Sequence, residues 1–415
     1  MPQNNSASEL RDNLISIENI KGDIRNSIAN KGQNIDINTP FAEYSNLISN
    51  ITTSENLDTV LNSQEQKLEE LESALSGKTS DISYINFNAI VRPGLGGGGA
   101  VGSIFKSSYI ETLPFWNFGF NPNYRLTLNN SFSDCNNLRT IPNWNIYSIT
   151  SFEYTFANCY NLQNVPNWDM SNVTGIIGIF SHCNNLKTVP NWNTSKITNM
   201  SCAFVNCSNL QNVPNWDMSN VTNMSSMFHN CKHLESIPNW NTSKVINMSN
   251  AFSLCSNLVS ISNLDTSNVT NIVYLFYFCG RLETVPNLNT SKVTNMSSLF
   301  TGCTNLVNAP YLDMSKTNSI IGMFSNCTNL VNVPQYNTSN LQSLALMGTF
   351  TGCNNLSDAS IQNIINMCLT ASLVNNPTFK NLNVSCSYSP FNNTNIMNTR
   401  YQNRWAELDA AGWAY

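Results

Sequence analysis

Cys135, Cys159, Cys183, Cys207, Cys231, Cys255, Cys279, Cys303 and Cys327 each follow the last by 24 residues, and Cys353 continues the series after a two-residue insertion. Fixed-period self-similarity constrains a chain more than composition can, because equivalent residues of successive units must occupy equivalent places. Three residues before each of these cysteines stands a phenylalanine, among them Phe204, Phe228 and Phe252, and three residues after stands a leucine, among them Leu210, Leu234 and Leu258. A single such unit cannot bury its Phe, Cys and Leu alone. Stacked units make ladders of like residues and one shared core. The expected fold is α+β: a right-handed leucine-rich-type parallel solenoid of about ten 24-residue coils, spaced about 5 Å apart and spanning about 50 Å.

Within a coil, the Leu-x-x-Ile/Val-Pro segment (Leu234, Ile237 and Pro238 in the clearest unit) reads as a short parallel strand ended by proline, which cannot donate to a ladder. The segment from Ser226 to Phe228 reads as one helical turn on the opposite side. The cysteines would point in parallel, which suits buried reduced thiols better than disulfides. A metal ladder is the weakest reading, since no histidine or carboxylate accompanies the series. Cys202, Cys368 and Cys386 lie outside it, with no role read for them.

The turn after the strand repeats too. Serine recurs from Ser171 to Ser339, its hydroxyl placed to satisfy turn backbone. Asn199, Asn223, Asn247, Asn271 and Asn295 form a file whose amides either bond along the stack or are solvated. Asp169, Asp217, Asp265 and Asp313 alternate with Asn145, Asn193, Asn241, Asn289 and Asn337, and Lys196, Lys244 and Lys292 sit in the Asn coils. This 48-residue superperiod has two readings: relief of like-charge crowding, with each Asp offered a Lys in a neighbouring coil, or plain duplication of a two-coil block. Trp144, Trp168, Trp192, Trp216 and Trp240 form a second file, continued by Leu264, Leu288, Leu312 and Tyr336. With Asp169 and Asp217 nearby, these tryptophans read either as packing or as a platform for sugar rings.

The flanks are different. Leu10, Leu14, Ile17, Ile20, Ile24 and Ile28 have amphipathic helical spacing, and residues 41–51 read as a further short helix. Leu57, Leu61, Leu68, Leu71 and Leu75 fit a short heptad register with Gln64 at one core position, which suits either a coiled coil or a single packed helix. The glycine-rich run 93–103 reads as a flexible connector, since a phosphate loop would need a following Lys-Ser/Thr. Residues 113–117 look like an imperfect first coil, residues 359–376 look helical, and Trp405 and Leu408 sit in a closing helix at 400–411. The expected organisation is 1–53 helical attachment segment, 54–79 short coiled coil, 80–104 strand and linker, 105–358 solenoid, and 359–415 cap.

Only 11% of residues are charged and the net charge is −5. That composition argues against wrapping a phosphate backbone and leaves a neutral ligand such as glycan open. The amino terminus lacks the basic-then-apolar pattern of a secretory signal, and no run of eighteen apolar residues reads as a membrane span. No metal or cofactor is expected.

The units NMSSMFHNCKHLESIPNWNTSKV resemble the BspA-like class of leucine-rich repeat over roughly residues 126–358, with Asn-Met-Ser, Phe-x-x-Cys-x-x-Leu and Trp-Asp-x-Ser-x-Val all present. Ser262, Tyr147 and the insertion before Phe350 depart from the pattern. The resemblance implies adhesion or recognition, with no catalytic residues. Residues 20–51 resemble attachment segments of phage tail fibres and tail-like bacteriocins, and the closing ELDAAGWAY, residues 407–415, resembles the end of repeat proteins from such clusters. Together these resemblances imply a homotrimeric tail fibre or receptor-binding protein in a virion or tail-like particle. It would dock on a baseplate or tail protein through its amino terminus and present the solenoid to host cell-wall glycan or a surface protein. A bacterial surface adhesin is the alternative. A polysaccharide depolymerase is the enzymatic one, with Asp169, Asp217, Asp265 and Asp313 pairing two coils apart.

Overall fold

In the segments before Cys183, Cys207, Cys231, Cys255 and Cys303, every second backbone N–H leaves its own coil and bonds to the next. The computed structural model describes residues 99–100, 110–116, 118, 125–261, 263–341 and 346–371. The N–H groups of Met200, Cys202, Phe204 and Asn206 donate to the carbonyls of Asn223, Ser225, Met227 and His229, at 3.0, 2.9, 2.9 and 2.8 Å. The intervening N–H groups fold back locally: Ala203, Val205 and Cys207 donate to the carbonyls of Met200, Cys202 and Phe204. This ribbon of tight turns corrects the expected helical turn.

The cause is backbone handedness. Two residues per coil, four apart, have left-handed φ: Cys202 (58°) and Asn206 (59°), Ser226 (54°) and Asn230 (62°), Asn250 (57°) and Leu254 (63°), Tyr274 (59°) and Phe278 (55°). A left-handed residue at the third place of a turn is the type II arrangement, and it cannot lie inside a right-handed helix.

The expected strand is also corrected. Leu-x-x-Ile segments meet through single parallel bridges, such as Thr112 with Thr140, Thr140 with Asn164, and Ser260 with Thr284. Proline supplies no N–H two residues later, and the chain then turns sharply, Trp240 N–H bonding back to the Pro238 carbonyl at 3.0 Å. A longer file of bridges runs through Gly175, Asn199, Asn223, Asn247 and Asn271. All of these pairings are parallel and shifted by whole coils, so the fold is a leucine-rich-type solenoid.

The chain divides into two units, Met1–Val173 and Thr174–Tyr415. In the first, a parallel sheet has the order β1 (Gly99–Ala100), β2 (Leu126–Thr127), β3 (Ile149–Ser151). Gly99 pairs with Leu126 and Ala100 with Thr127, so the end of the glycine run is a paired strand where a flexible connector was expected. Leu113 and Trp116 of the imperfect first coil are buried, and the Phe132 and Phe156 rings stack at 5.4 Å.

In the second unit, Phe180, Phe204, Phe228, Phe252, Phe276, Phe300, Phe324 and Phe350 stack in file, with centroids 5.3 to 5.9 Å apart. Leu210, Leu234 and Leu258 are fully buried beside them. Each such Phe or Leu contributes about 1.5–3 kcal/mol of burial. The helix α1, Asp358–Thr370, starts at the Ser357 N-cap and buries Ile361, Ile364, Ile365, Met367 and Cys368, which gives Cys368 a place in the core. Its Ser360 and Asn363 side chains bond to Val331 and Val333, backbone that in other coils meets the following coil.

The segments read as helices at 8–30, 41–51 and 400–411, the heptad segment 54–79, Ser262 and Cys386 lie outside the described residues. Among the described residues, no helix is long and apolar enough to cross a membrane.

The turn ribbon carries a measurable cost where a bulky residue is left-handed, about 1–2 kcal/mol. At the second left-handed position, the Asn230 amide donates to Asn206 Oδ1 at 2.6 Å, but the next coil carries Leu254. Leu254→Asn is expected to raise the unfolding free energy by about 1 kcal/mol, measured by chemical denaturation. Gly302→Ala should lower it, because a Cβ there would stand 2.9 Å from the Phe278 ring at a φ of +74°.

Candidate functional site

The tryptophans expected as a sugar platform are buried: Trp144, Trp168, Trp192, Trp216 and Trp240 are each 2 to 3% exposed. Their faces are covered by rings of neighbouring coils, Trp192 on Trp216 at 6.1 Å and Trp216 on Trp240 at 6.1 Å. Their edges are occupied as well. Indole N–H groups donate to the proline carbonyl of the preceding coil, Trp144 to Pro114 at 2.9 Å, Trp216 to Pro190 at 3.1 Å and Trp240 to Pro214 at 3.2 Å. Tyr336 donates likewise to Pro310 at 2.7 Å. The platform reading is therefore corrected: no pyranose can reach a covered ring face.

Asp169 and Asp217 are exposed, and each caps its own turn. Asp169 Oδ1 accepts from Ser171 N–H at 3.1 Å and Asp217 Oδ1 from Ser219 N–H at 2.9 Å. Asn193 and Asn241 do the same for Ser195 and Ser243, both at 3.2 Å. Asp and Asn thus share one job, which needs only a side-chain oxygen. The Asn199 file caps too: Asn199, Asn223 and Asn247 accept from Ser201, Ser225 and Ser249 N–H at 2.9 to 3.0 Å, while their backbones make the bridges.

Lys244 and Lys292 take partners other than the aspartates expected for them. Lys244 Nζ donates to Asn220 Oδ1 at 2.7 Å and Lys292 to Asn268 Oδ1 at 2.6 Å. The Asn220 amide in turn donates to the Ser195 carbonyl at 2.8 Å.

The ladder thiols have a task that spacing did not reveal. Cys207, Cys231 and Cys255 are free, fully buried thiols, and each Sγ donates to a phenylalanine carbonyl of the preceding coil, at 3.1 Å to Phe180, Phe204 and Phe228. Burial pushes the Cys255 and Cys353 thiols up to about 12. Cys202 is half-buried and stands at a left-handed turn position. Among the described residues, no group of three or more His, Cys, Asp or Glu could hold a metal ion.

With the repeated polar atoms engaged inside, the candidate site is the set of large side chains on the surface. Phe115, Tyr147, Tyr154, Tyr160, Ile246, Tyr274, Phe278, Val307 and Tyr311 are 40 to 69% exposed. Most interrupt a polar file. Tyr311 stands where sister coils carry Asn239 and Asn263, Ile246 replaces Thr222 and Thr270, and Tyr147 replaces Ser171 and Ser195.

The family model described as Mycoplasma protein of unknown function, DUF285, matches residues 126–235, 203–308, 248–363 and 280–385. None of the curated proteins matches the chain. Among solved structures, a leucine-rich cell surface protein of Faecalibacterium prausnitzii is 16% identical, covering 64% of this chain and 85% of that one at a TM-score of 0.28. A leucine-rich repeat protein of Eubacterium ventriosum is 16% identical over 53% and 76% (TM-score 0.27). An internalin of Listeria monocytogenes is 14% identical over 60% and 73% (TM-score 0.25). The matched family is described for Mycoplasma, a bacterium, which overturns the expected placement in a phage virion or tail-like particle. The tail-fibre resemblance rested on residues 20–51 and 407–415, both outside the matched stretch.

Two outcomes test this chemistry. Thr242 and Thr290 donate to the Asp265 and Asp313 carbonyls at 3.0 and 2.9 Å, whereas the buried Thr266 hydroxyl has no hydrogen-bond partner. Thr266→Val should stabilise by about 1 kcal/mol, read from the denaturation midpoint. Ser219 and Ser267 hold the Asp217 and Asp265 carboxyls below the usual carboxylate range. Their contribution is present above the unfolded-state pKa and is lost as pH falls through the lowered folded values. A double Asp217→Asn, Asp265→Asn protein keeps both caps, so its melting temperature should fall less on acidification than the parent's.

Proposed function

We propose that this chain, which belongs to the family of Mycoplasma proteins of unknown function, DUF285, is a bacterial cell-surface recognition protein whose solenoid displays a neutral face to ligands outside the cell. One observation carries the reading. Buried positions repeat from coil to coil, while large exposed side chains such as Ile246, Tyr274, Phe278 and Tyr311 break the repeat. A fixed interior with a varied exterior suits a frame that presents contacts, because surface changes leave the core ladders intact.

The low charge supports neutral ligands, either glycan or an uncharged protein surface, over nucleic acid. The reading extends the solenoid over residues 105–358 in about ten right-handed coils and assigns it no reaction. Trimerisation through the heptad residues 54–79 would multiply weak contacts into useful avidity.

Antibody raised against the solenoid should label intact cells of the producing bacterium, and protease added outside those cells should remove the signal. Labelling seen only after lysis would sink the proposal. Incubation with wall polysaccharide should release no new reducing ends; their release would put an enzyme in place of a display protein.

A further inference from the structure

The coil around Phe276 departs from its sisters at three neighbouring positions at once. Its left-handed residues are Tyr274 and Phe278, where other coils carry Ser226 and Asn230, Ser298 and Gly302, or Gly322 and Asn326. Between them stands Tyr277, where the adjacent coils carry Ser253 and Thr301. The Tyr274 and Tyr277 rings meet edge to face with centroids 5.2 Å apart, and the Tyr277 and Phe278 rings at 4.6 Å and 66°. Gly302 keeps the ground beneath Phe278 bare, since a Cβ there would stand 2.9 Å from the ring.

The fold gains little from this arrangement. Left-handed backbone is unfavourable for bulky residues, by about 1–2 kcal/mol each, and Tyr274 and Phe278 recover little burial, being 40 and 43% exposed. Residues held in costly conformations while facing solvent point to a contact outside the fold.

The surroundings specify the contact's chemistry. Stretches 246–256, 270–280, 294–304 and 318–328 place the same ribbon of four successive coils beside one another, and they contain no Asp, Glu, Lys, Arg or His. They are rich instead in hydroxyls and amides, including Ser249, Asn250, Ser297, Ser298 and Asn326. A phosphate-bearing or acidic ligand would need cations that this face lacks. Aromatic faces amid neutral donors and acceptors match a pyranose, which offers C–H groups on one face and hydroxyls around its rim.

We infer that Tyr274, Tyr277 and Phe278 form a binding platform for a neutral polysaccharide. This rests on the display reading, and it moves the sugar contact from the buried tryptophan file to the turn ribbon.

The test compares the full chain with a Tyr274→Asn, Tyr277→Ser, Phe278→Asn variant, each change restoring a residue type used by sister coils. Both are titrated with a panel of neutral hexose and N-acetylhexosamine oligosaccharides by calorimetry and saturation-transfer NMR. The parent should bind at least one of these sugars, insensitively to salt, and the variant should bind at least tenfold more weakly with an equal or higher melting temperature. Equal binding by both proteins would overturn the inference, as would no binding by the parent. Concentration-dependent self-association of the parent that the variant loses would also overturn it, by assigning the face to a second copy. Surface labelling of the producing cell is a separate readout, so failure of the platform and failure of the display reading are distinguishable.

Discussion

Everything in this fold depends on the register that sets each coil one period above the last, and the backbone enforces it through alternating turns. A chain in which every second N–H points outward along the stack can be satisfied only by an equivalent chain directly above it. Left-handed residues such as Ser226 and Asn230 produce that alternation, and Met224, Ser226, Phe228 and Asn230 each donate to the following coil. Slipping the register by one residue would set these donors opposite carbonyls already engaged within their own coil, such as those of Met248 and Asn250. The ladders of Phe, Leu and Trp follow from this constraint and add apolar burial to it.

The interior is also more polar than a leucine-rich core suggests, and its cysteine thiols and indole N–H groups find acceptors one coil away. Phe204 illustrates the economy: its carbonyl accepts the Cys207 N–H at 3.1 Å within its coil and the Cys231 thiol at 3.1 Å from the next. Pro214 does the same for Trp216 N–H and the Trp240 indole. Cysteine and tryptophan therefore do more than fill volume. Each supplies a donor to a carbonyl that already holds one bond, and a purely apolar replacement would leave part of that acceptor's capacity unused.

The period, the buried ladders and their alignment were legible in the sequence, because identical spacing leaves few alternative packings. Local turn chemistry was not. The two left-handed positions carry Asn, Gly, Asp and Ser in most coils but Tyr154, Cys202, His182, Leu254, Tyr274 and Phe278 in others, which hides the signature. The tryptophan file was ambiguous for a different reason: an aromatic ladder looks the same in sequence whether its faces stack on one another or on a sugar. Burial alone separates the two. The glycine run misled because low propensity argues against a strand, yet a two-residue strand needs only a neighbour's backbone to pair with, and β2 provides it.

The 48-residue superperiod can now be assigned to hydrogen bonding, with charge in a minor part. An Asn coil reaches in both directions: Thr242 donates forward to the Asp265 carbonyl, and Lys244 donates backward to the Asn220 side chain. An Asp coil is built to receive, with Asn220 as acceptor and the apolar Met218 buried in place of threonine. Thr266 stands apart, as a threonine in an Asp coil whose buried hydroxyl goes unpaired. From Asp217 to Asp313 the unit of construction is thus two coils, the Asn coil donating forward through threonine and backward through lysine to the Asp coils on either side.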